Sequence, residues 1–93
     1  MKPSAVMWTK VTALDTPFAK DGMQHRVSIE GMERPDGTWA GRIVFSSNND
    51  TRVTTQETSQ PNRKALEYWA TGLEKIYLDG AFERATKSAG GNR

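Results

Sequence analysis

The 93-residue chain reads as an α+β domain: a four-stranded antiparallel meander followed by a C-terminal helix packed on one face. Three observations predict it. The N-terminal half falls into short segments rich in β-branched and aromatic residues, which suit a pleated surface. Clusters of Pro, Gly, Asn, Asp and Ser separate these segments. Beyond Pro61 the apolar spacing changes from two residues to three and four, the period of an amphipathic helix.

The first strand segment runs from Val6 to Leu14 and ends at the breaker Asp15-Thr16-Pro17. Trp8 and Leu14 share one parity, and Met7, Val11 and Ala13 the other, so the pattern does not say which face is buried. Phe18 to Gln24 reads as a loop with Asp21-Gly22 at its tip. The second strand, His25 to Glu33, alternates Val27, Ile29 and Gly31 with Arg26, Ser28 and Glu30. Arg34-Pro35-Asp36-Gly37 is the clearest hairpin signal: proline presets φ, aspartate bonds its own backbone, and glycine takes the left-handed position. The third strand, Thr38 to Ser46, places Trp39, Gly41, Ile43 and Phe45 on one side and Ala40, Arg42 and Val44 on the other. After the turn Ser47 to Asp50, the fourth segment runs from Thr51 to Glu57, with Val53 taken as its inward residue.

Pro61 suits the first helical position, capped by Ser59 or Gln60, with Asn62 as the rival cap. Leu66, Trp69, Leu73 and Ile76 form the apolar stripe. Gly72 allows two readings: one helix running to about Asp79 and stopped by Gly80, or an end at Gly72 with Lys75 to Leu78 extended. The first is preferred. Ala81 to Lys87 would add a short turn docked by Phe82. The whole is a single domain over residues 1–87 with a frayed tail over 88–93.

Composition narrows the chemistry. There are no cysteines, which excludes disulfides, thiolate metal sites and cysteine nucleophiles, and favours a reducing, cytoplasmic setting. One histidine, His25, is too few for a His-based metal site, so neither metal nor cofactor is expected. No apolar run is long enough for a membrane span. Leu, Ile, Val and Phe together number 15, a thin core that leaves the monomer only marginally stable and makes homodimerisation attractive. The net charge of +2 matters only if the basic groups segregate.

Parity predicts that they do. If Val27, Ile43 and Val53 face the helix, the opposite face carries Arg26, Arg42 and Arg52 from three strands, among Ser28, Thr54 and Gln56, with Glu30 as the obvious acid. Lys10 and Thr12 join if Val11 turns inward. Arginine suits bidentate phosphate contact, so Arg26, Arg42, Arg52 and Lys10 are the candidate nucleic-acid-binding residues. Such a face binds single strands best when aromatic rings stack the bases, and only Trp8 is available to do so. The competing readings are an ordinary solvated sheet face, or a protein interface using Met32, Ala40 and Val44 as an apolar strip between two copies.

The ββββα order with Arg26, Arg42 and Arg52 on one face resembles the repeats of purine-rich-element-binding (PUR) proteins and the related Whirly-type single-strand binders. The resemblance covers the layout of residues 6–79 and implies single-stranded nucleic acid as partner. The segment Ala65 to Glu74 also resembles small uncharacterised bacterial proteins.

Catalysis has little to stand on. His25 beside Asp21 could form a base–acid pair, but no nucleophile or oxyanion site is marked by spacing, and an exposed loop-end histidine is the simpler reading. Glu30 and Glu33 have opposite parity in a strand and cannot pair. Trp39 and Trp69 are expected in the core, facing each other between sheet and helix. No catalytic residue is assigned, and a non-enzymatic binding module is the expectation.

Overall fold

The computed structural model describes residues 7–48 and 50–87. Val6 and the tail expected over residues 88–93 lie outside them. The protein is α+β with an antiparallel sheet, and its strands are β1 (Thr9–Ala13), β2 (Phe18–Lys20), β3 (Met23–Glu33), β4 (Trp39–Ser46), β5 (Thr51–Val53), β6 (Thr58–Gln60) and β7 (Thr86–Lys87). Two helices, α1 (Arg63–Thr71) and α2 (Lys75–Arg84), precede β7. The main path through the sheet is β1-β3-β4-β5-β7, with β2 also paired to β3 and β6 to β4.

The expected meander survives in coarse form, because the two outer segments are each broken in two. β1 and β2 both run antiparallel to β3, with the intervening Asp15–Pro17 outside the ladder. β5 and β6 both pair with β4, and residues 54–57 bulge between them. Thr54 bridges that second break. Its backbone N–H donates to the Ile43 carbonyl at 3.0 Å, and its Oγ1 accepts from the Ile43 N–H at 3.0 Å. A buried side chain thus replaces a missing ladder bond.

The expected loop over Phe18 to Gln24 is a hairpin instead. Asp21 and Gly22 both have positive φ, 53° and 79°, the pairing that matches a two-residue turn to strand twist. The strands flanking this Asp-Gly pair carry too little alternation to announce themselves.

β3 and β4 pair over their full shared length, with Val27 opposite Phe45, Ile29 opposite Ile43, and Gly31 opposite Gly41. These residues form the floor of the core. The facing glycines make a notch for Leu66 of α1: a Cβ on Gly31 would lie 2.7 Å from Leu66 Cδ2, and one on Gly41 2.5 Å from Leu66 Cδ1. At the other end Phe82 of α2 meets Phe18, His25 and Phe45, with ring centroids 4.9–5.7 Å apart.

The single long helix does not form. Asn62 is the N-cap of α1, its Oδ1 accepting from the Ala65 N–H at 2.8 Å. The Gly72 N–H bonds back to the Ala70 and Trp69 carbonyls and closes the helix. Glu74 then begins α2, and Gly80 lies inside it rather than ending it. The break re-phases the apolar stripe. Leu78, Ala81 and Phe82 become the buried residues of α2, and Ile76, expected in the core, is 80% exposed. A straight helix would have kept Ile76 in line with Leu73 and turned part of the Leu78–Phe82 set away from the sheet.

Candidate nucleic-acid interface

The sheet face opposite the helices is set by the β3–β4 register. Arg26 lies opposite Ser46, Ser28 opposite Val44, Glu30 opposite Arg42, and Met32 opposite Ala40. Arg26 and Arg42 therefore share this open face, as expected. Lys10 is opposite Glu30 and joins them.

Arg52 does not. It pairs with Phe45, on the helix side, and its guanidinium lies 4.7 Å from the centroid of the Phe82 ring. Val53, expected inward, pairs with Val44 on the open face. The reason is hairpin arithmetic. With Ser46 paired to Thr51 across the turn, Phe45 must oppose Arg52, and directly opposed residues point to the same face. The turn at Ser47–Asp50 already contained that answer. The expected parity instead followed the only large apolar side chain in the segment, Val53. Thr54 is likewise not on the open face but buried at the break.

A register shift between Lys10 and Thr12 resolves the ambiguity of the first segment. Val11 turns to the helix side, where its Cγ2 would lie 2.9 Å from a Cβ on Gly31. Thr12 pairs with Ile29 and does not accompany Lys10 to the open face. Trp8 stands on the open face, with the Arg42 guanidinium 4.3 Å from its ring centroid. Arg42 also bonds Glu30, Nε to Oε1 at 2.9 Å and NH2 to Oε1 at 2.7 Å. Glu30 thus holds the Arg42 guanidinium beside the indole. Lys10 and Arg26 are exposed and form no ion pair among the described residues. The cations of the opposite layer are mostly engaged: Lys20 with Asp79 and Glu83, Arg63 with Glu67, Lys75 with Asp79, and Arg84 with Glu57.

The apolar strip expected on this face is largely consumed inside the monomer, since Ala40 and Val44 are buried. His25 is not an exposed loop-end residue. It is buried, its ring 6.3 Å from that of Phe18 and 4.9 Å from that of Phe82. Trp39 and Trp69 both pack against the core. The Trp69 ring meets Tyr77 edge-on at 6.2 Å, and the Arg63 guanidinium lies 5.8 Å from the Trp39 ring.

Among the described residues no group of three or more His, Asp or Glu is placed to hold a metal ion, and no helix is long and apolar enough to cross a membrane. No protein family, curated protein or solved structure matches this chain.

Proposed function

We propose that the open sheet face binds single-stranded nucleic acid without catalysing a reaction. The observation that carries this reading is the placement of Trp8 on that face, over Arg42. A base can stack on the exposed side of an indole or on a guanidinium plane, and base–aromatic stacking contributes about 1–3 kcal/mol per base. Lys10 and Arg26 lie on the same face with no ion pair among the described residues, so each is available to a phosphate. Arg52 takes no part, because its side chain lies on the helix side of the sheet, against Phe82.

The reading is tested with a short fluorescently labelled single-stranded oligonucleotide. Binding should appear at low salt. With Lys10 and Arg26 meeting phosphates, log K should fall against log salt with a slope of about −1.4. Trp8→Ala should weaken binding by about tenfold or more, as loss of one stacking contact requires. Lys10→Ala with Arg26→Ala should both weaken binding and flatten the salt slope. Arg52→Ala should leave affinity unchanged. An absence of binding at low salt, or equal losses from Arg52→Ala and Arg26→Ala, would remove this function.

A further inference from the structure

The open sheet face does not end flush. At the end of β3 away from Trp8 it runs into a recess of about 500 Å³, set between the β2–β3 turn and the turn that follows β4. Arg42, which meets Trp8, lies opposite Glu30, and Arg26 at the recess is four residues away along β3. At about 3.3 Å per residue, the indole platform and the recess stand about 13 Å apart on one face.

The lining carries groups that a base can use. Gln24 and Arg26 have the same parity in β3, and Ser46 lies directly opposite Arg26, so all three belong to the open face. The Gln24 amide is exposed, and neither it nor the Ser46 hydroxyl makes a side-chain hydrogen bond among the described residues. Pro17 and Met23 add apolar surface, with Met23 52% exposed, against which a flat ring can lie. Asp50 also lines the recess. Its negative charge disfavours a phosphate inside but not a neutral base. The phosphate belongs outside, with Arg26, which forms no ion pair among the described residues.

The residue types select among bases. A glutamine amide presents one donor and one acceptor side by side. Adenine answers both with its N7 and its N6 amino group. On the same edge guanine presents two acceptors, and thymine a methyl group beside its one acceptor. The Ser46 hydroxyl, which can donate or accept, is left for a second edge of the base.

We infer that this recess receives one adenine of a bound single strand, read by Gln24, while Arg26 holds the adjoining phosphate. The inference rests on the reading of the open face as a single-strand surface and gives that surface a base preference. Anisotropy titrations test it, using a labelled oligothymidine and the same strand with one deoxyadenosine near its centre. The parent should bind the adenine-bearing strand about tenfold more tightly. A deoxyguanosine at that position should bring no such gain. Gln24→Ala, at an exposed position, should retain the parent's circular dichroism and salt slope while binding all three strands alike. Trp8→Ala should weaken every strand and keep the preference. Equal affinity of the parent for the strands with and without adenine overturns the inference and leaves the single-strand face standing. A preference that survives Gln24→Ala overturns it too, since the base is then read elsewhere. Failure to bind any of the strands at low salt removes the face and the recess together.

Discussion

Thr54 shows how one side chain can hold a broken strand in place. It is buried, and its hydroxyl is the acceptor for the Ile43 N–H at the point where β5 leaves the ladder. Thr54→Val preserves shape but removes that acceptor, leaving a buried donor unsatisfied at a cost of about 1–3 kcal/mol. Urea unfolding should show the loss, and Thr54→Ser should recover most of it. A valine variant as stable as the parent would mean that the backbone shifts to satisfy Ile43. Residue types alone could not announce this role, since threonine is an ordinary strand residue on either face. Arg52 is the opposite case. Its place was readable from the turn at Ser47–Asp50, had pairing been counted outward from Ser46 rather than inferred from Val53.

At the scale of elements, the joint between sheet and helix rests on the facing glycines of β3 and β4. Leu66 is fully buried and fills the space their absent side chains leave. Gly41→Ala would set a methyl group 2.5 Å from Leu66 Cδ1 and 2.9 Å from Thr58 Cγ2. Contacts that close force one of the neighbours to shift, so a destabilisation of about 1–3 kcal/mol is expected. Combining it with Leu66→Val should cost less than the sum of the two single changes, a coupling that equilibrium unfolding can measure. Additive losses would show that Gly41 acts through backbone entropy rather than through this notch. The alternation of Gly31 with Val27 and Ile29 placed it correctly on the core face. Its partner in space was not legible, because a notch is defined only once a helix crosses it. The helix boundary was missed for a related reason. Gly72 weakens a helix without ending it by itself, and the packing of Leu78, Ala81 and Phe82 onto the sheet decided the break.

Across the whole molecule, Glu57 ties the bulge of the outer strand to α2. It accepts from Tyr77 Oη at 2.6 Å and from Arg84 at 2.7 and 3.2 Å. Burial opposes its ionisation, but the Arg84 and Tyr77 hydrogen bonds and the Arg84 charge outweigh that, and the carboxyl is held below the usual glutamate range. Asp36, lowered chiefly by its hydrogen bonds from Thr38, acts with the same sign. For both groups the stabilisation is complete above the unfolded pKa. As pH falls through the folded pKa the unfolded state binds more protons and stability is lost. Melting temperature should therefore drop on the acid side of the ordinary carboxylate range. Glu57→Gln should lower the neutral value while making that acid limb shallower, with Asp36 supplying what remains. An unchanged limb would show that the Glu57 contact adds nothing in solution.

The fold class, the β3–β4 pairing with its core and open faces, the hairpin over residues 34–37, and the presence of Arg26 and Arg42 on one side were legible in the chain. All of these depend on local periodicity and turn chemistry, which a chain carries within a few residues. Contacts between distant segments alone settled which way Trp8 points, where the outer strands break, and that Ile76 lies outside the core. Those outcomes turn on single-residue shifts of register and helix phase. Such shifts cost little locally and are settled by whether large side chains from distant segments can close one core.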